Sequence, residues 1–333
     1  MSEMTDLRNL FGSIAPSDGS TEGRFSAVII PNHAPHRLGR DTIGRPALLI
    51  QPVDQGTSTL PPPLTLERLT VQHGARCRIT THEGETQQER FSIVQCVDLD
   101  LAPYFLHACG SLVSALGSTP TQLEVTQLVS RLADLFKAFS STNKSVQGLW
   151  AELFVIAESG DPVAVARAWH KDPNDVHDFA EGAQRVEVKC TSNNQRTHRF
   201  SAEQVHPGEG FSTVIASLMT TRNAGGVSLL ELLDDVQKHL ASEPELALHI
   251  DSVVSATLGD RLARSLQERF DYDRARETLR FYLSENVPSV SFPFPAEVSA
   301  VRFTADLSDA EQASAEELRQ RHGFFATLPH ENE

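Results

Sequence analysis

Asp178, Glu187 and Lys189 stand on either side of Gly182-Ala183 in the segment VHDFAEGAQRVEVKCTS. Their spacing predicts that a hairpin brings two carboxylates and an amine together. A two-residue turn at Gly182-Ala183, the Gly-X form suited to a type II′ turn, sets Asp178 directly opposite Glu187. Glu187 and Lys189 lie two apart in one strand and share that face, while Val186 and Val188 point the other way with His177 and Phe179. Opposed carboxylates with Cβ atoms about 5 Å apart repel unless positive charge lies between them. Magnesium takes oxygen ligands, commonly one or two carboxylates completed by water and phosphate, and this pair offers them. Lys189, one pleat farther on, is placed to neutralise charge developing on a phosphate and to position or activate the attacking water. The chemistry that follows is metal-assisted phosphodiester hydrolysis.

A lone E-x-K triplet arises readily by chance, and a solvated cross-strand face is the competing reading. Three features weigh against it: the opposed aspartate, the valines flanking Glu187, and the placement there of one of only five lysines (Lys137, Lys144, Lys171, Lys189 and Lys238). Glu152 lies inside the apolar run LWAELFVIA, where a carboxylate needs a partner, and an arginine is the partner expected. His170 and His177 with Asp172, Asp175 and Asp178 form an alternative zinc or manganese set, disfavoured because His177 should face away from Asp178. Arg196, His198 and Arg199 in the polar stretch that follows are candidates for touching phosphate, with a solvated loop as the alternative.

These residues need a sheet and helices to hold them. From Gly23 to Asp98, runs such as FSAVII, ALLIQPV, LTLERLTV, ARCRITT and RFSIVQCVDL alternate with turn signals and read as β-rich. After Pro103 the period becomes helical, with two helices separated by the Gly117 to Pro120 break. A third begins after Ser145 and carries Glu152. Asp161-Pro162 starts a short helix to Trp169, which Asp172-Pro173 should end. Asn193 to Arg199 reads as a loop, FSAEQV as helix-like, FSTVIASLM as a strand or buried helix, Gly225-Gly226 as a turn, and Leu229 to Leu240 as an amphipathic helix. Ser252 to Arg269 has helical spacing, and TLRFYLS and SAVRFTADL read as strands.

The chain has 333 residues, 40% hydrophobic and 22% charged, which is ordinary globular usage and more than one core usually organises. The start MSEMTDLRNLFGSIAPSDGS lacks the basic and apolar runs of a signal peptide, and no uninterrupted apolar stretch approaches a membrane span, so a cytoplasmic protein with no membrane association is expected. Cys77, Cys96, Cys109 and Cys190 have no zinc-finger spacing and read as reduced core residues. A net charge of -15 excludes gripping nucleic acid by bulk electrostatics, so any DNA contact is local or assisted by partners.

The helix LWAEL around Glu152, the HDF of His177 to Phe179, VEVKCTS from Val186 to Ser192, the following RTHRF, and Glu203-Gln204 together resemble a PD-(D/E)XK nuclease family of bacterial proteins often encoded beside ATPases or helicases in phage-defence loci. LRFYLSENVPSV and VSAVRFTADLS resemble its C-terminal part, so the likeness covers most of the chain. The resemblance implies an α/β fold with a restriction-endonuclease-like mixed sheet flanked by helices, a β-rich N-terminal region (1–101), a helical segment and nuclease core (102–250) and a C-terminal α/β elaboration (251–333). It implies metal contacts at Asp178, Glu187, Val188 and Glu152, and a water- and phosphate-directed role for Lys189. Gln204, Arg196 and Arg199 are implied on the substrate side, with Mg2+ as the ion and Mn2+ as a substitute. No literal Pro-Asp precedes the site, which leaves Asp175 as an alternative acidic ligand. The expected function is a DNA endonuclease subunit of a defence or restriction system, with ATPase or helicase partners and homo-oligomerisation left open. The competing readings are a catalytically silent nuclease-fold scaffold and a hydrolase of another phosphate ester or nucleotide.

Overall fold

The structure is a computed structural model, and it describes residues 6–15, 25–54, 60–80, 86–136, 145–170, 175–290 and 297–329. The chain divides into two compact units, 1–140 with 241–263, and 141–240 with 264–333.

The first unit starts with a short helix, α1 (Leu7–Gly12), capped by the Asp6 carboxylate. Six strands follow: β1 (Phe25–Ile29), β2 (Arg37–Asp41), β3 (Pro46–Ile50), β4 (Leu64–Thr65), β5 (Leu69–Thr80) and β6 (Thr86–Cys96). They form an antiparallel sheet in the order β1-β2-β3-β6-β5-β4, as the alternating runs before Asp98 predicted. Helices α2 (Ala102–Leu116) and α3 (Gln122–Leu135) come next, the second opened by a Thr121/Glu124 capping box. Both were expected to accompany the nuclease core, with a boundary at 101. They fall in the first unit, where they pack on each other and on the helix Pro244–Leu258, and α2 also on β3. The Leu99–Leu116 stretch is long and apolar enough to pass for a membrane span by composition, but most of it is buried as a core helix. Asp251 on helix Pro244–Leu258 accepts from His107 (2.9 Å) and Ser111 (3.2 Å) of α2, and its carbonyl accepts from the Tyr104 hydroxyl (2.8 Å). The buried carboxylate is thereby satisfied by the helix it packs against.

The second unit opens with α4 (Val146–Glu158), mostly apolar and buried from Leu149 to Ile156 with Glu152 among the buried residues, and α5 (Pro162–Ala168), capped by Asp161. Strands β7 (Phe179–Glu181), β8 (Gln184–Thr191) and β9 (Thr197–Ser201) precede the single turn α6 (Ala202–Val205). Then follow β10 (Ser212–Met219), β11 (Arg222–Ser228), α7 (Leu229–His239), β12 (Arg269–Phe270), β13 (Arg280–Leu283) and β14 (Arg302–Asp306). The central sheet has the order β13-β10-β8-β7 and is mixed: β8 and β10 run parallel, the outer pairs antiparallel. Ribbons β11–β12 and β9–β14 complete the unit.

Several local expectations change. FSTVIASLM takes the strand alternative, as β10, whereas Arg199 lies in β9 rather than in a loop. Gly225-Gly226 sits within β11, where a Cβ at Gly226 would come 2.0 Å from the Phe270 carbonyl oxygen, so close backbone approach rather than a tight turn requires the glycine. The helical spacing read over Ser252 to Arg269 is broken at Gly259 (φ 51°), and Arg269 enters a strand. The expected stop at Asp172-Pro173 lies outside the described residues, as does part of VPSVSFPFP.

Candidate metal and phosphodiester site

The hairpin forms in the predicted register, with Phe179 opposite Val186 and Glu181 opposite Gln184. Gly182 takes φ 52° while Ala183 stays out of the left-handed region, as a Gly-X type II′ turn requires. Continued by one residue, this register sets Asp178 opposite Glu187. The ladder ends at Phe179, however, and the two carboxylates take different partners.

Glu187, Lys189 and Gln204 make one cluster. Glu187 is buried between sheet neighbours, and its Oε1 accepts from Lys189 Nζ at 2.7 Å and from Gln204 Nε2. Gln204 Oε1 accepts from the same ammonium (3.1 Å) and from the Ser201 N–H (3.0 Å), so α6 is tied to β8 through one amide. Lys189 Nζ stands 5.2 Å from the Phe200 ring centroid. Behind it lies a core of Phe200, Val205, Ile215 and Tyr282. The positions alternating with these, Val186, Val188 and Cys190, face α4, whose Gln147 amide reaches the Cys190 sulfur.

Asp178 belongs to a second cluster. Its Oδ2 accepts from the Val188 N–H at 2.8 Å, so the carboxylate occupies the sheet edge where β7 would have continued. The His170 N–H donates to the Asp178 carbonyl (2.9 Å), and Trp169 bridges to Phe179, which fixes residues 169–170 alongside 178–179. Glu152 arrives from α4. Its Oε2 accepts from Trp169 Nε1 (2.9 Å) and lies 3.2 Å from His170 Nε2, so an indole and an imidazole stand at the buried carboxylate where an arginine was expected. Glu152, His170 and Asp178 are all buried, and each offers one ligand atom within 4.8 Å of the other two. Asp178 and Glu187 thus meet at Val188, one on its N–H and the other as its neighbour in sequence. The strand ends before Asp178, and a carboxylate released from the ladder takes the nearest unpaired N–H.

The flanking residues divide in the same way. His177 lies 3.4 Å from the Gln204 carbonyl, on the Glu187 side and apart from the Asp178 cluster. Burial is the main cause that lowers its pKa, and Arg185 and Lys189 lower it further. Asp175 is exposed and outside the buried group. Arg196 is buried, with its terminal nitrogens donating to the Ser217 carbonyl and hydroxyl and the Thr278 carbonyl, so it braces β10 rather than facing solvent. His198 is likewise buried, 2.8 Å from the Ser217 hydroxyl; burial, with Lys189 and Arg196 nearby, lowers its pKa to about 4. Arg199 alone of these three is exposed. Trp169 had no role in the sequence reading, and His170 entered only as a ligand in the alternative histidine set. Their one sequence signal is a Trp-His pair closing a short helix eight residues before Asp178.

Compared with known protein families, residues 8–308 match the family described as "Putative PD-(D/E)XK family member, (DUF4420)". The chain belongs to this PD-(D/E)XK family. The match spans both units, and the mixed sheet carrying Glu187-Val188-Lys189 agrees with a PD-(D/E)XK-like fold. No curated protein and no solved structure matches the chain. Strand β8 carries the Glu187-Val188-Lys189 triplet, and the Asp178 carboxylate is hydrogen-bonded to the Val188 N–H.

Proposed function

We propose that this chain is a divalent-cation-dependent DNA endonuclease subunit that hydrolyses phosphodiester bonds in a bacterial defence or restriction system. One observation carries the reading. Asp178 is bonded to the Val188 N–H, between Glu187 and Lys189, while Glu152 and His170 converge on Asp178 from α4 and the end of α5.

Two buried carboxylates and an imidazole within 4.8 Å fit a divalent cation, since desolvated carboxylates at that separation need a positive partner. Glu152 and Asp178 would hold the ion, with Val188 and Glu187 adjoining. When bound, such an ion supplies Lewis-acid stabilisation of phosphate and lowers the pKa of an attacking water. The chain's own groups do the rest. Lys189, held by Glu187 and Gln204, brings a fixed ammonium to the phosphate and needs no reorganisation as charge develops there. Gln204 orients both Glu187 and Lys189. Exposed Arg199 supplies a phosphate contact on the outer side of β9. A net charge of -15 leaves bulk attraction to DNA weak, so targeting falls to partners, with ATPase or helicase proteins of the same locus as the expected class.

The test is incubation of the full chain, alone and with proteins encoded beside it, on plasmid and single-stranded DNA in Mg2+, Mn2+ or EDTA. Cleavage that requires a cation and vanishes in Asp178→Asn supports the reading. A wild type that never cleaves with its partners, yet is needed to assemble their complex, replaces it with the scaffold role.

A further inference from the structure

Carboxylates alone would suit magnesium, but the buried group here is not built of carboxylates alone. His170 is held in it by its main chain and by its ring. Its main-chain N–H donates to the Asp178 carbonyl (2.9 Å), and the adjoining Trp169 bridges to Phe179. Its ring Nε2 stands 3.2 Å from Glu152 Oε2, which Trp169 Nε1 also holds (2.9 Å). The ring is thus held against Glu152 with an Asp178 carboxylate oxygen within 4.8 Å, in a site where Glu152 is 2%, His170 5% and Asp178 7% exposed.

Donor chemistry then discriminates between ions. Magnesium binds oxygen, favours octahedral geometry with several retained waters, and gains little from imidazole. First-row transition ions take imidazole readily, and a site of three protein ligands with one open position is the arrangement they use in catalysis. We infer that His170 is a metal ligand, making a mixed nitrogen–oxygen centre with Glu152 and Asp178 that takes a first-row divalent transition ion, Mn2+ or a later member of the series, in preference to Mg2+. This rests on the metal-dependent reading above and deepens it by assigning the nitrogen ligand and the class of ion.

The test uses the full chain and reads binding rather than cleavage. Titration calorimetry with Mn2+ and Mg2+ should show Mn2+ bound tighter by about tenfold or more. Pulsed electron paramagnetic resonance of the Mn2+-loaded protein should show nitrogen coupling that changes isotope pattern when histidine is 15N-labelled. The coupling should persist in His177→Gln and vanish in His170→Gln. His170→Gln should also weaken Mn2+ binding by about tenfold while leaving Mg2+ binding nearly unchanged. If His170→Gln fails to fold, the wild-type spectrum together with His177→Gln still decides. Absence of histidine coupling in wild type, or its loss in His177→Gln, overturns the assignment. If Asp178→Asn still abolishes cation binding and cleavage in that case, the endonuclease reading survives without it. If the wild type binds neither ion, both fall together.

Discussion

At the scale of single residues, the pairing of Glu187 with Lys189 changes what substitution should do. From the hairpin alone, removing Glu187 relieves carboxylate repulsion and leaves the fold intact or more stable. In the structure Glu187 is buried and accepts from Lys189 at 2.7 Å, so its removal also loses a paired charge. Lys189→Ala should therefore destabilise the protein by about 3 kcal/mol, because it strands a buried carboxylate. The double variant Glu187→Gln/Lys189→Met should recover much of that loss in urea melts, yet remain without cleavage. Equal stability of Lys189→Ala and the double variant would contradict the coupling. A pH effect follows from His198, whose folded pKa is lowered to about 4 from the ordinary 6.5, mainly by burial. The unfolded chain then binds the extra proton first, so stability is full above about pH 6.5 and falls as pH drops towards 4. His198→Asn should flatten the slope of melting temperature against pH in that window. An unchanged slope would assign the acid sensitivity to other groups.

At the scale of elements, positions that look like loop in sequence are close contacts in space. Gly226 is one. A Cβ there would meet the Phe270 carbonyl oxygen at 2.0 Å, so Gly226→Ala must push β12 away from β11. We expect a loss of about 2–3 kcal/mol in chemical denaturation, as for other overpacked sites. By contrast, Gly225→Ala has room around it and should be nearly neutral, which makes the pair a controlled comparison. The β9–α6 corner acts in the same way on the site: Gln204 caps Ser201 and holds Glu187 and Lys189. A short helix of four residues thus fixes the orientation of the E-x-K side chains on a different strand.

At the scale of the whole molecule, charge governs how substrate is reached. A chain with net charge -15 should bind DNA with a shallow dependence of affinity on salt, reflecting few phosphate contacts. Arg199→Ala should reduce that slope by about one and weaken binding uniformly across sequences. Fluorescence anisotropy over a salt series measures both, and an unaltered slope would remove Arg199 from the interface.

Periodicity and turn chemistry made much of this fold legible without coordinates. The N-terminal strands, α2, α3, the Asp161-Pro162 helix, α7 and the type II′ hairpin depend on local pattern, since side-chain alternation and φ preference act over a few residues. The Glu187-Val188-Lys189 strand and the acidic residue before it were legible for the same reason. Three things were decided by tertiary structure alone. Helices α2 and α3 joined the first unit because apolar faces carry no address. Arg196 and His198 turned inward because burial depends on what packs above a strand, here the Ser217 hydroxyl and its neighbours. Asp178 falls one residue beyond the ladder, and its carboxylate meets the Val188 N–H with Glu152 and His170 close by. That convergence joins a helix, a helix end and a strand edge 26 residues apart, from Glu152 to Asp178, a distance over which spacing in sequence holds no geometric information.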